Sequence, residues 1–417
     1  MKTAAIIAEY NPLHKGHEFH LSATRSMTGA DYILVVMSGD FVQRGAPALL
    51  NKYLRTRMAL AAGADLVIEL PSRYALSSAE YFAAGAVSLL DQLGVVDVLS
   101  FGSECGNTDK LVAHAAHLLE MENNPDYSDS ISSYQKKGIS YPAAIAQVMS
   151  DSHETVSMPN DILGMTYCKA LLRLHSNIQP FTIPRSGEGY HSTMLSKESG
   201  YSSASALREV LRNCNYSIDE ALSDPAFVSQ IPQSVLPIWN LDIRPSYGIG
   251  EEDFSTLLHY KLLSRQAPGY SSFQDCSREL SSKIQKHLPE YNNYSDFCQL
   301  LKSKDITMTR IHRVMMHILL DMKEDIRPGK ASSHNQPTPY GRILGFRKTA
   351  SPLLNSIKNQ SSIPLIAKPA DASNLLTSEA LALFEEDVRI AHIYETVSSD
   401  KNNMAFLNEY RQSPIIV

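Results

Sequence analysis

The sequence has few cysteines, no long apolar run and no recognisable secretion signal. Its five cysteines are scattered and never form a Cys-x-x-Cys pair, which predicts neither a disulfide framework nor a zinc site. No apolar stretch reaches the roughly 20 residues that a membrane span needs. The first apolar run ends at Glu9, which is too early for a signal peptide. We therefore expect a cytoplasmic protein without a membrane partner.

An excess of positive charge is also missing. The chain has 38 lysines and arginines against 44 acidic residues, a net charge of −6, which excludes a protein that is basic throughout. The charge is unevenly distributed, however. Residues 301–350 hold ten lysines and arginines and four acidic residues, a net +6, which leaves −12 for the rest of the chain. This one segment could therefore bind a polyanion despite the acidic average.

Apolar and helical segments alternate along the first half of the 417 residues. Short apolar runs predict buried strands at Thr3–Ala8, Tyr32–Met37, Leu66–Leu70, Val95–Phe101 and Gln179–Ile183. Helical patterns lie between and after them, at His17–Met27, Lys52–Ala62, Ser78–Leu93, Leu163–Leu174 and Ser205–Arg212. Such alternation is typical of an α/β fold with a parallel sheet. We predict this α/β domain over residues 1–215 and a mainly α-helical region over 216–417, with a small mixed segment near 339–369.

The most informative motif follows the first predicted strand. Residues Glu9–His17 read EYNPLHKGH, which places His14 and His17 at the start of the first predicted helix. A helix N-terminus at the carboxyl end of a strand offers unpaired N–H groups and a positive dipole end to phosphate. The two imidazoles can donate hydrogen bonds to phosphoryl oxygens. We predict that His14 and His17 are catalytic residues that stabilise charge on a phosphate.

This motif resembles the HxGH turn of the HIGH-type nucleotidyltransferase superfamily, whose members direct attack on the α-phosphate of ATP. Ser202–Arg208 (SSASALR) resembles the second motif of that superfamily more loosely. Hydroxyls at a helix start, followed by an arginine, suit the β- and γ-phosphates. Further segments are similar, in order, to the tRNA(Met) cytidine acetate ligase family: Ser38–Pro47, Gly63–Pro71, Phe101–Glu104, Pro159–Gly164, Ile183–Arg185 and, more loosely, Thr309–Arg313 and Arg342–Phe346.

The resemblance implies a Rossmann-like (HUP-type) domain and an ATP-dependent ligase. Such an enzyme forms acetyl-adenylate from acetate and ATP, with Mg²⁺ as a charge shield. It then acetylates the wobble cytidine of elongator methionine tRNA and has no DNA partner. The implied ATP contacts are Ile7, Ala8, Glu9, Tyr10, Asn11, Pro12, Leu13, His14, Lys15, Gly16, His17, Glu18, Phe19, His20, Gly102, Asn160 and Arg185. Asn160 is preferred to its neighbour Asp161, and Arg44 is a further candidate for substrate or phosphate.

The C-terminal half is the expected tRNA-binding region. We predict phosphate contacts at Arg310, Arg313, Arg342 and Arg347, with stacking surfaces at His334, Tyr340 and Phe346. No metal-ligand cluster is evident from the spacing. Two alternatives stay open: a small-molecule adenylyltransferase of the same superfamily and a non-catalytic RNA-binding protein. The long C-terminal half, with its basic segment, argues against the first, and the intact histidine pair argues against the second.

Overall fold

Ten strands are present in the computed structural model, which describes residues 1–124, 131, 133–134, 158–185, 201–242, 247–324 and 337–417. The strands are β1 (Thr3–Ala8), β2 (Tyr32–Ser38), β3 (Phe41–Val42), β4 (Ala46–Pro47), β5 (Leu66–Leu70), β6 (Val98–Ser103), β7 (Gln179–Pro184), β8 (Gly341–Phe346), β9 (Leu365–Ile366) and β10 (Ile415–Ile416). The five strands predicted from apolar runs correspond to β1, β2, β5, β6 and β7, so those predictions are confirmed.

One sheet forms the centre of the molecule, in the order β10–β8–β5–β2–β1–β6–β7 with β9 beside β8. The pairs β1–β2, β1–β6, β2–β5 and β6–β7 are parallel, as the α/β pattern predicts. Residues 33–37 of β2 have no exposed surface, because helices cover both faces of the sheet. Strand order reverses at β1, where β2 lies on one side and β6 on the other. A crevice opens at the carboxyl ends of strands at such a point.

Helices pack on both faces of the sheet and build a separate helical region. Their bounds are Lys15–Thr28, Lys52–Ala61, Ser72–Ala75, Ala79–Gln92, Thr108–Glu122, Pro159–Leu174, Ala204–Asn213, Ile218–Leu222, Pro225–Ser229, Leu236–Leu241, Ser255–Arg265, Arg278–His287, Tyr294–Leu301, Met308–Leu319, Ser351–Gln360, Ala372–Leu375 and Ser378–Lys401. Among the described residues, none of the helices has both the length and the apolar character that crossing a bilayer requires.

The helical region has its own apolar core, which is continuous with the α/β part. This core combines buried side chains of residues 249–322 with Phe41 of β3 and with Leu76, which directly follows the helix Ser72–Ala75. The helix Ser378–Lys401 contributes Ile390, Tyr394 and Val397 to it. Nearer its N-terminus the same helix packs Phe384 and Val388 against Ile366 of β9, so it joins the helical region to the sheet.

The mixed segment near 339–369 completes the N-terminal sheet. Strand β8 pairs antiparallel with β5, and the C-terminal strand β10 pairs with β8. A buried ion cluster accompanies this pairing: Arg342 of β8 contacts Glu69 and Glu409, and Lys52 contacts the same two carboxylates. Sequence patterns predict that a segment is a strand but not which strand it pairs with, and here the partner lies some 270 residues earlier.

Candidate nucleotide-binding site

A cavity of about 270 Å³ lies at the carboxyl ends of β1, β6 and β7. Most of the predicted nucleotide contacts line it: Ile7, Ala8, Glu9, Tyr10, Asn11, His14, Gly16, His17, Phe19, His20, Gly102, Asn160 and Arg185. Four other predicted contacts, Pro12, Leu13, Lys15 and Glu18, are not part of its lining. Leu13 is buried in the core beneath the loop, and the Glu18 carboxylate accepts a hydrogen bond from Ser234. Pro12 and Leu13 belong to the loop before the helix, and the first turn of the helix directs the side chains of Lys15 and Glu18 away from the cavity.

The two histidines form a reciprocal cap at the start of the helix Lys15–Thr28. The N-cap residue is His14, whose Nδ1 accepts from the Gly16 N–H at 3.0 Å. The His14 N–H in turn donates to Nδ1 of His17 at 3.3 Å. Their ring centroids are 3.9 Å apart. Because each Nδ1 is an acceptor, each neutral ring carries its proton on Nε2, which is the donor left for a phosphoryl oxygen.

Burial keeps these imidazoles neutral. Burial first, and then the charges of Arg185 and Arg208, lower the pKa of His14 to about 3. The pKa of His17 is lowered well below its usual value by burial, by His14 and by the same arginines. The cavity therefore presents neutral N–H donors beside two fixed positive charges. Phosphate groups are bound well by this combination.

Gly16 is required by the histidine cap. A Cβ at this position would lie 2.9 Å from Cε1 and 3.1 Å from Nδ1 of His14. Any side chain there would push the imidazole away from the Gly16 N–H, so the glycine allows close approach of the ring to the backbone. Gly102 has a related but looser role, since a Cβ there would meet Cγ of Arg185 at 3.3 Å.

Asn160 and Asp161 separate into different environments. Asn160 lines the cavity, donates to Glu104 at 2.5 Å, and its carbonyl oxygen lies 3.5 Å from Nη1 of Arg185. Asp161 is buried outside the lining, where its carboxylate accepts the N–H groups of Glu104 and Cys105. Of the pair, Asn160 is the residue that lines the cavity.

The second motif meets the first at this cavity. Ser203 caps the helix Ala204–Asn213, and Arg208 donates from Nη1 to the carbonyl oxygen of Asn11 at 2.6 Å. Gln230 joins the two motifs, because its backbone oxygen accepts from Lys15 N–H and its side chain accepts from Ser202 N–H, both at 2.9 Å. The sequence has no signal for Gln230, since its role depends on a tertiary contact.

Other residues of the site were not predicted from the sequence. Arg55 is fully buried and donates to the carbonyl oxygens of Glu9, Ser38 and Leu50 at 2.7–3.0 Å, which fixes the loops after β1 and β2. The lining also includes Gln43, Phe82, Phe101, Leu163, Tyr167 and Tyr201. Most of these residues are apolar or aromatic, and such residues at strand or helix ends are equally typical of a buried core. The sequence is therefore only a weak indication that they belong to the site.

The predicted tRNA-binding arginines occupy different environments. Arg310 is 37% exposed and pairs with Asp275, while Arg313 is mostly buried against the same carboxylate. Arg347 is half-buried and donates to the Leu60 carbonyl oxygen. Arg342 is only 3% exposed within the buried ion cluster, which removes it from the surface that a tRNA could contact.

Of the three predicted stacking residues, Tyr340 is contradicted by the structure. Tyr340 is buried in the core, where its hydroxyl donates to Asp387. Phe346 is half-buried against the apolar core beneath the sheet. His334 lies outside the described residues, as do Arg327 and Lys330 of the basic segment.

No group of three or more metal-ligating side chains is found in the described ranges. Glu9 is the carboxylate among the residues that line the cavity, and its Oε1 accepts from the Gln43 N–H at 2.9 Å. A divalent cation at this site would therefore have to take most of its ligands from a bound nucleotide.

The chain is similar to known proteins over nearly its whole length. A family model described as HIGH Nucleotidyl Transferase matches residues 1–409. The tRNA(Met) cytidine acetate ligase of Clostridium novyi is 35% identical over 100% of this chain and 99% of its own. That of Clostridium perfringens is 34% identical over 100% of both chains. The structure of Thermotoga maritima TmcAL bound with alpha-thio ATP is similar over 100% of both chains, with a TM-score of 0.87 and 26% identity.

Proposed function

Because the chain belongs to the HIGH nucleotidyl transferase family, and within it to the tRNA(Met) cytidine acetate ligases, we propose that it acetylates methionine tRNA with acetate and ATP. The observation that carries the proposal is the cavity in which the two neutral histidines face the guanidinium groups of Arg185 and Arg208. Relatives with this name match the whole chain, so an adenylyltransferase that needs only the N-terminal half is not favoured.

The first step needs charge stabilisation and positioning. A carboxylate oxygen of acetate attacks the α-phosphorus of ATP, the bond from that phosphorus to the bridging oxygen breaks, and pyrophosphate leaves. The Nε2–H groups of His14 and His17 would donate to the α-phosphoryl oxygens as charge accumulates there. Ser203 and Ser205 would bind the departing phosphates at the start of the helix Ala204–Asn213, together with Arg208, which lies one turn further along the same helix.

The second step transfers the acetyl group. The exocyclic amine of the wobble cytidine attacks the carbonyl carbon of acetyl-adenylate, the bond to the adenylate oxygen breaks, and AMP leaves as the amine loses a proton. No enzyme nucleophile is needed, because the mixed anhydride is already activated. The enzyme contributes mainly by holding the cytidine amine and acetyl-adenylate in one orientation. Such positioning supplies a large share of the reduction of the barrier when two molecules react.

Mg²⁺ would reach the site with the nucleotide. The donor set fits this route, since Glu9 supplies a carboxylate while the remaining ligands would be phosphate oxygens and water. The cation would shield the negative charge of the triphosphate and of the leaving pyrophosphate. The tRNA would contact basic residues at the surface of the helical region, among them the partly exposed Arg310 and the exposed Lys302, Lys304 and Lys323.

The proposal is tested by incubating the protein with ATP, radiolabelled acetate and methionine tRNA, followed by digestion of the tRNA. We expect label in N4-acetylcytidine and release of pyrophosphate. An adenylated intermediate should form with acetate and ATP when tRNA is omitted. Absence of labelled nucleoside, together with transfer of AMP to a small metabolite, would contradict the proposal.

A further inference from the structure

The cavity has a wall that the predicted nucleotide contacts do not use. Gly102 lies in β6, Asn160 lies on the helix that leads to β7, and Arg185 follows β7, so all three are on one side of β1. Gln43 and Arg44 line the same cavity from the turn between β3 and β4. The chain reaches this turn directly after β2, which is the strand on the other side of β1. A nucleotide in the crevice between β1 and β6 therefore leaves the β2 side for the second reactant.

Arg44 brings another positive charge to the cavity at this wall. Arg185 and Arg208 also line it, and both are placed where their charges act on His14 and His17. Arg208 is further tied to the loop after β1 through the Asn11 carbonyl oxygen. Arg185 and Arg208 thus lie with the histidine pair, whereas Arg44 reaches the cavity from the β2 side.

We propose that Arg44 binds the acetate carboxylate and orients it for attack on the α-phosphate. This inference rests on the proposed function. A guanidinium presents parallel N–H donors whose spacing matches the two oxygens of a carboxylate. While one oxygen forms the bond to phosphorus and pyrophosphate leaves, the other oxygen keeps its hydrogen bond to Arg44. The same contact then holds the acetyl carbonyl oxygen when the cytidine amine attacks.

The turn that carries Arg44 is held from two sides. Strands β3 and β4 pair across it, Gly45 N–H donates to the Val42 carbonyl oxygen at 3.0 Å, and Gln43 N–H donates to Glu9. Gly45 has φ +83°, and a Cβ there would lie 2.3 Å from the backbone nitrogen of Arg313. The turn is therefore fixed between the end of β1 and the helix Met308–Leu319. Such support restricts where the Arg44 side chain can place a small anion.

The test is the kinetics of acetyl-adenylate formation by Arg44→Gln, with acetate and ATP varied separately. We expect the KM for acetate to rise about 10- to 100-fold, the effect of losing a charge-assisted hydrogen bond, with little change in the KM for ATP. Arg44→Lys should recover part of the loss, because it keeps the charge but not the fork. Arg57→Gln is the control, since Arg57 is 40% exposed and pairs with Asp242 on the surface.

A second variant tests the support of the turn. Gly45→Ala should displace it from the helix and raise the KM for acetate in the same direction, while the protein still binds ATP. An unchanged KM for acetate in Arg44→Gln would overturn the inference, as would a rise confined to the KM for ATP. If the wild-type protein forms neither acetyl-adenylate nor acetylcytidine, the proposed function itself fails, and this inference fails with it.

Discussion

His14 has two separate roles at the residue scale: it caps a helix and it supplies a hydrogen-bond donor. The cap uses Nδ1, and the donor is Nε2–H, so one ring serves both without a change of protonation. Substitution by alanine removes both roles, whereas asparagine is a good N-cap residue without the imidazole donor. The two substitutions can therefore separate helix stability from chemistry.

We expect His14→Asn to lower the rate of acetyl-adenylate formation about 100- to 1,000-fold, as the loss of a donor to a developing oxyanion does. The midpoint of thermal unfolding should stay close to that of the wild type, and tRNA affinity should be unchanged. His14→Ala should lower the rate of acetyl-adenylate formation by a similar factor, and it should also lower the free energy of unfolding by about 1 kcal/mol. A His14→Asn enzyme with wild-type turnover would contradict the catalytic role.

The low pKa of His14 also predicts how stability depends on pH. The folded ring has a pKa of about 3, whereas an unfolded histidine has its ordinary pKa of 6.5. The unfolded chain therefore binds an extra proton below pH 6.5, so the stabilising contribution is present above that value and is lost as pH falls. Between pH 7 and pH 5 the loss is about 2 kcal/mol. Denaturant unfolding of the ligand-free protein should detect it, and His14→Gln should reduce the pH dependence by that amount.

At the element scale, the buried ion cluster holds the C-terminal segment where the chain comes back to the sheet. Although burial alone would raise it, Lys52 and Arg342 lower the pKa of the Glu409 carboxyl to about 2. Lys52 belongs to the helix after β4, Arg342 to β8, and Glu409 to the segment just before β10. The cluster therefore connects the C-terminal segment to the centre of the sheet.

Removing one carboxylate from this cluster should leave buried positive charge without compensation. We expect Glu409→Gln to lower the free energy of unfolding by about 3 kcal/mol, measured by denaturant unfolding at neutral pH. The matched control is Glu385→Gln on the exposed face of the C-terminal helix, which should change it by less than about 0.5 kcal/mol. Equal effects of the two substitutions would show that the cluster adds nothing to stability.

At the scale of the whole molecule, the net charge of −6 conceals a division between an acidic remainder and one basic segment. In the folded protein, the basic residues of this segment also differ from one another in how far they are buried. Arg342 lies in the interior, and Arg313 is mostly buried against Asp275. Arg310 pairs with the same aspartate but keeps 37% of its side chain exposed, and Lys302, Lys304 and Lys323 are exposed. The exposed basic surface is therefore smaller than the sequence count indicates.

The different burial of Arg310 and Arg342 predicts different outcomes when each of them is substituted. Arg310→Gln should weaken tRNA binding and reduce the slope of log affinity against log salt by about 1, as expected for the loss of one phosphate contact. Arg342→Gln should instead destabilise the fold. Filter binding over a salt series and denaturant unfolding distinguish the two. An unaltered salt slope for Arg310→Gln would place the tRNA contact elsewhere.

The sequence by itself determined the parallel α/β core and the location of the histidine pair. Buried strands such as Leu66–Leu70 are continuous apolar runs, and the motif after β1 is local, so both are readable without tertiary information. Only the tertiary structure decided that β8 and β10 complete the sheet, that Gln230 joins the two motifs, and that Arg342 is buried. These features depend on which distant segments meet, and local pattern carries no information about a partner hundreds of residues away.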